Sequence, residues 1–192
     1  MLKIKEVLSV VCVIIAFSIA IVACQSQSQA TVTQTGENMQ KIQLTSAAFQ
    51  EGEPIPVQYT CDGTNISPPL AWAGIPGGTN SLAMIVDDPD APGRTWVHWV
   101  VYQISPDLMG LPEGLVKYSN AGGIGTAGKN DFNKLGYGGP CPPKGKPHRY
   151  FFKLYALDAD LELQQGATKT QLEAAMQGHI LAQGQLMGTY GR

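Results

Sequence analysis

The stretch SLAMIVDDPDAPGRTWVHWVVYQI, residues 81–104, decides the fold. Residues 81–86 form a continuous apolar run of strand length, which stops at the polar cluster Asp87-Asp88-Pro89-Asp90. Residues 95–104 follow, rich in Trp, Val and Tyr, and predict a second strand buried on both faces. Pro89 and Pro92 fix the turn between them and deny backbone donors to a neighbouring strand. By the two-residue period, Trp96, His98 and Val100 share one face. The second run returns along the first from the acidic turn, which puts an Asp88–His98 hydrogen bond within reach. Taken alone, the acidic turn reads as a solvated loop, and His98 as a core histidine with satisfied nitrogens. Bunched carboxylates need donors or cations nearby, and the pairing of turn and histidine marks a candidate site.

Working outward, the chain continues as short strand-like segments between turns, as 22 Gly and 13 Pro suggest. Ile42, Leu44, Ala47 and Phe49 predict a first strand, and residues 56–60 a second. Residues 148–157 alternate well, with His148, Tyr150, Phe152 and Leu154 on one face and Arg149, Phe151 and Lys153 on the other. One helix is expected, opened by the Thr170-x-x-Glu173 capping box and stopped at Gly178, with Leu172, Ala175 and Met176 as its buried stripe. Residues 179–187 predict a last strand. The pattern implies a mainly all-β protein, an antiparallel β-sandwich with one or two short peripheral helices.

The N-terminus reads as an address rather than as fold. Lys3 and Lys5 precede an apolar run over residues 7–22, and Ile21-Val22-Ala23-Cys24 resembles the lipobox of bacterial lipoproteins. Residues 1–23 are therefore expected to be a signal peptide, with Cys24 acylated and made the mature N-terminus. An uncleaved membrane helix is the plainer alternative. Each buried acyl methylene contributes about 0.8 kcal/mol, so two or three chains anchor firmly. Residues 24–40 then form the lipidated cysteine and a polar, apolar-poor tether, and residues 41–192 the folded domain. The expected location is the cell envelope, on the extracytoplasmic side. Gln25 in place of Asp after the cysteine resembles outer-membrane sorting where the cell has two membranes.

Thirteen basic residues stand against fifteen acidic ones without a Lys/Arg cluster, which argues against nucleic acid as a partner. Of the four cysteines, Cys61 and Cys141 are the pair left in the folded part. They are read either as a disulfide, which closes a loop contributing about 4 kcal/mol, or as two packed free thiols. No CxxC occurs, so neither redox catalysis nor a cysteine zinc site is expected. Gly123-Ile124-Gly125-Thr126-Ala127-Gly128-Lys129 contains both GxGxxG and GxxxxGK. It lacks a following amphipathic helix, and Asn130 stands where a P-loop carries Ser or Thr, so it reads as a flexible loop without a nucleotide. Tyr137-Gly-Gly-Pro-Cys-Pro-Pro-Lys-Gly145 is a stiff loop that delivers His148 and Tyr150 to one strand face. Two His, one Tyr and two Asp at strand ends make a polar pocket in an apolar sandwich.

Several of these segments together carry a resemblance. Asp-Pro-Asp-Ala-Pro (88–92), Trp-Val-His (96–98) and Gly-Pro-Cys-Pro-Pro-Lys-Gly-Lys-Pro-His-Arg-Tyr (139–150) resemble the signature segments of the phosphatidylethanolamine-binding proteins, whose animal members are also called Raf kinase inhibitor proteins. Residues 59–72 and 186–192 are similar to the bacterial branch of that family. The resemblance implies an antiparallel β-sandwich with a small cavity for phosphate, carboxylate or a phosphorylated head group. Carried over by motif, Asp88, Asp90, Pro92, Trp96, His98, Gly139, His148 and Tyr150 would line it. Asp88 would orient His98 and keep it protonated, so anion affinity would fall as pH rises above the histidine range. The resemblance also implies no cofactor. The expected function is non-catalytic capture of a small phosphorylated or carboxylate anion, including a phospholipid head group. The alternatives are an inhibitor or regulator of a protein partner, a kinase or protease, and a weak hydrolase or zinc site on His98, His148 and Asp88. No Gly-x-Ser-x-Gly elbow occurs for the hydrolase. No segment past Arg192 matches the C-terminal helix of the animal members, so kinase binding is not carried over.

Overall fold

The computed structural model describes residues 40–115 and 124–192. The expected signal peptide and nearly all of the tether lie outside them. The elements are β1 (Gln40–Lys41), β2 (Gln43–Thr45), β3 (Leu70–Ala73), β4 (Ser81–Asp88), β5 (Trp96–Ile104), β6 (Gly110–Leu111), β7 (Thr126–Ala127), β8 (His148–Leu157), α1 (Lys169–Met176) and β9 (Ile180–Tyr190). They form a six-stranded sheet, β1-β9-β8-β4-β5-β7, and a three-stranded sheet, β2-β3-β6. All strand pairs are antiparallel except β1 with β9, which is parallel.

The unbroken apolar run of β4 follows from its place in the middle of the large sheet, where every residue is buried. Met84 and Val86 face the core shared with the small sheet, beside Leu44, Trp72, Trp99, Phe152 and Leu186. Ala83 and Ile85 face a second core with Val97, Val100 and Tyr102, roofed by Leu172 and Met176 of α1. A strand covered on both faces has no polar face to alternate with. β8 alternates instead, with Tyr150, Phe152 and Leu154 buried and Arg149, Phe151 and Lys153 facing outward. Its aromatic members are expensive to lose, since truncating a fully buried Phe costs about 3–5 kcal/mol.

Several expectations are corrected. Residues 56–60 hold a 3-10 turn, Val57–Tyr59, because the Thr60 hydroxyl and N–H both turn back to the Val57 carbonyl, at 2.8 and 2.9 Å. The first strand is two short pieces, and Ala47 and Phe49 follow them. The helix starts two residues earlier than expected. Its N-cap is Thr168, and Gln171 closes the box on the Thr168 N–H, so Thr170-x-x-Glu173 is a shadow of Thr168-x-x-Gln171. Gly178, with φ +82°, ends it as predicted. The glycine-rich segment is not a loop throughout. Thr126–Ala127 pairs with Val101 and Tyr102, and Gly128 lies where a Cβ would sit 2.5 Å from the Ala167 carbonyl. Gly125 and Gly128 allow close backbone packing on β5, with no helix following.

The disulfide between Cys61 and Cys141 is formed, with Cα atoms 5.3 Å apart. Among the described residues, no helix is long and apolar enough to cross a membrane.

Candidate functional site

Asp88 ends β4, Trp96 and His98 open β5, and His148 and Tyr150 open β8, so pairing of the three strands brings one end of each together. β5 does not run straight here. Val86 opposes Trp99 while Asp87 opposes Val97, which leaves His98 as the extra residue of a bulge. The bulge breaks the expected two-residue face. Val97 and Val100 both enter the second core, whereas His98 turns toward the Tyr150 ring, with centroids 5.2 Å apart.

The bulge also changes the hydrogen bonding. Asp88 does not bond His98; its Oδ2 lies 2.8 Å from His148 Nδ1. Its Oδ1 accepts the Asp90 N–H at 2.8 Å, which closes the turn that Pro89 and Pro92 stiffen. His98 instead places Nδ1 2.7 Å from the Gly138 carbonyl. A carbonyl only accepts, so Nδ1 carries the proton and Nε2 is the remaining ring nitrogen. Burial drives the His98 pKa below its ordinary value, although the Gly138 carbonyl and the Asp88 charge oppose the shift. Burial thus favours the neutral imidazole, and the Asp88 charge does not outweigh it.

Tyr150 is fully buried, and its hydroxyl has no hydrogen-bond partner. Burial first, and then the nearby Asp88 charge, push it above the ordinary phenol range, so it is a neutral donor. A buried, unpaired hydroxyl costs about 1–3 kcal/mol, which makes it uncommon in a folded protein. The structure thus places the Tyr150 hydroxyl beside His98 and near Asp88, while the Nδ1 atoms of His98 and His148 are both engaged within the protein.

The remaining predicted residues stand further out. Gly139 is buried, its N–H donates to Asn65 Oδ1 at 2.7 Å, and a Cβ there would sit 2.3 Å from the Tyr59 carbonyl. Asp90 faces outward and holds Arg149 through both carboxylate oxygens, at 2.7 and 2.8 Å. Those contacts lower the Asp90 pKa to about 2. Trp96 reaches the site through Phe132, which stands edge-on to both Trp96 and His98. Pro92 is exposed and serves the turn.

Sequence reasoning missed Asn65, Phe132, Arg149 and the Gly138 carbonyl. Asn65 sits at φ +60°, and only its Asn-Ile-Ser-Pro-Pro setting hinted at a turn residue with a side-chain role. Cavities of about 780, 510, 330 and 20 Å³ open elsewhere, and none is lined by Asp88, His98, His148 or Tyr150. Among the described residues, no three His, Cys, Asp or Glu side chains are grouped to hold a metal ion.

Comparisons with known proteins identify the family. The sequence model of the phosphatidylethanolamine-binding protein family matches residues 45–191. A UPF0098 protein of Methanothermobacter thermautotrophicus is 51% identical over 149 residues, covering 78% of this chain and 98% of the relative. A UPF0098 protein of Chlamydia muridarum is 50% identical over 154 residues, with the same coverage. Among solved structures, a putative phosphatidylethanolamine-binding protein homologue from Chlamydia trachomatis superposes with a TM-score of 0.72 at 45% identity, over 80% of this chain and 99% of its own. E. coli YBCL, described as a member of the mammalian family, superposes with a TM-score of 0.74 at 33% identity, over 79% and 99%. On the family match and the shared fold, the chain belongs to the phosphatidylethanolamine-binding protein family.

Proposed function

We propose that the chain binds a small oxyanion, a phosphate, a phosphate monoester head group or a carboxylate, between Tyr150, His98 and His148, without transforming it. The observation that carries the reading is the buried Tyr150 hydroxyl without a partner. An oxyanion supplies the missing acceptor at little entropic cost, because the donor is already fixed. His98 offers Nε2 as an acceptor when neutral, so the best ligand carries one hydroxyl of its own. A monoprotonated phosphate or a carboxylic acid fits. A non-catalytic role is supported by the raised Tyr150 pKa, which makes the hydroxyl a poor nucleophile.

The same reading places the domain at a membrane surface through acylated Cys24 and the tether that follows it. Capture would then occur in the cell envelope, from solution or from lipid head groups.

Calorimetric titration with phosphate and phosphoethanolamine from pH 5 to pH 8 tests the binding. Phosphate monoesters lose their last proton near pH about 6, and His98 gains one only below its ordinary range. Affinity therefore falls by about tenfold as pH rises across the window, one hydrogen bond to a charged group being worth about 1.5–3 kcal/mol. Affinity that is flat or rises with pH contradicts this division of donors and acceptors.

A further inference from the structure

We propose that the Cys61–Cys141 disulfide is a reducible latch on this site, so that a thiol reductant loosens the wall built by Gly138 and Gly139 and weakens oxyanion binding. The binding half of this statement rests on the reading given under Proposed function; the latch itself rests on the geometry below.

The wall is a short piece of chain. The Gly138 carbonyl holds His98, and the Gly139 N–H is held by Asn65. Cys141 follows two residues later, and Cys61 lies on the facing segment, next to the 3-10 turn. Beyond Cys141 the chain has little of its own to hold it. Pro140, Pro142, Pro143 and Pro147 remove four backbone donors from residues 140–147. Residues 143–147 are all exposed. Among the described residues, the backbone bonds that remain at this loop are Cys61 N–H to the Pro140 carbonyl, at 3.0 Å, and Gly145 N–H to the Arg192 carbonyl, at 3.3 Å. The covalent bond therefore supplies a restraint that hydrogen bonding there cannot replace.

The bond is also open to attack and polarised. Cys141 is exposed and Cys61 half-buried. Arg192 places Nη1 4.0 Å from Cys141 Sγ, and its Nε is anchored 3.0 Å from Asp62. A cation at that sulfur stabilises a thiolate there. In the exchange, a reductant thiolate forms a bond to Cys61 Sγ, and the electron pair of the old S–S bond leaves on Cys141 Sγ. The second thiolate of a dithiol reductant then attacks the reductant's own sulfur in the mixed disulfide, and the electron pair of that S–S bond leaves on Cys61 Sγ. The reductant is released as its disulfide and both cysteines are reduced, two electrons having been transferred.

Hydrogen exchange read by mass spectrometry on the full chain in detergent, before and after a dithiol reductant, tests the latch. Exchange is expected to rise at least about tenfold over residues 57–65 and 138–147 while the strands stay protected. Phosphate affinity is expected to fall about fivefold through lost preorganisation. Both are restored by reoxidation, and Cys61→Ser/Cys141→Ser holds both at the reduced values in either condition. Arg192→Gln is expected to slow reduction several-fold. Unchanged exchange on reduction overturns the proposal, as does an increase spread over β4 and β8, which means global unfolding. If neither form binds phosphate while exchange rises locally, the oxyanion reading fails and the latch stands.

Discussion

Tyr150 concentrates the case at the scale of single residues, because its buried hydroxyl makes no hydrogen bond of ordinary geometry within the protein, the Asp88 carboxylate being the acceptor that stands near it. The neighbouring groups have fixed tasks. Asp88 is divided between His148 and the Asp90 N–H, and His98 is tied to Gly138. Asp90 is outside the binding step and acts on stability. Arg149 holds its pKa at about 2, below the ordinary 3.8, so the carboxylate stabilises the fold above pH about 4. That stability is lost as pH falls through about 2. Both partners reach solvent, so the contribution is small. Asp90→Asn is expected to lower the urea midpoint slightly at pH 6 and to match the parent at pH 2; an equal deficit at both pH values would show that charge is not the cause. That Asp88, His98, His148 and Tyr150 meet at strand ends was legible in the sequence, because such residues stand out in a chain of low charge, whereas Asp90 and Pro92 face outward. Who pairs with whom was not, since the bulge at His98 depends on the register of β5 against β4, and no local residue type announces it.

At the scale of elements, β4, β5, β8 and β9 could be read within a few residues, because apolar runs and alternation report how many faces are covered. The short pieces could not. Residues 56–60 have strand composition, but Thr60 satisfies its own polar groups locally. The helix start was displaced because two Thr-x-x-Glu/Gln spacings overlap, and only the backbone decides which threonine caps. This makes a sharp prediction. Thr168→Ala is expected to cost about 0.5–2 kcal/mol in chemical denaturation, the ordinary worth of an N-cap. Thr170→Ala, inside the helix, is expected to stay within about 0.5 kcal/mol. The reverse order would put the cap at Thr170. The same logic explains the glycine-rich decoy, where Gly125 and Gly128 serve contact with β5 and the Ala167 carbonyl rather than a phosphate.

At the scale of the whole molecule, two sheets and a helix roof produce two cores on either side of the large sheet, and the site sits where three strands of that sheet end. The bridge closing an 80-residue separation adds about 4 kcal/mol in the chain-entropy picture, so the reduced protein is expected to unfold at clearly lower urea. The N-terminal address is expected to show as membrane-fraction protein whose mass includes acyl chains on Cys24; a Cys24→Ser chain should lose that mass, and an unmodified wild-type chain would contradict the anchor. The central claim is that Tyr150, His98 and His148 bind an oxyanion. Calorimetric titration of phosphate into the wild type and Tyr150→Phe at pH 6 tests it most directly, because that change removes one oxygen and no packing. The account predicts binding by the wild type, about tenfold weaker binding by the variant, and stability in the variant equal to or above that of the wild type. Equal affinities, or no binding by a folded wild type, would contradict it.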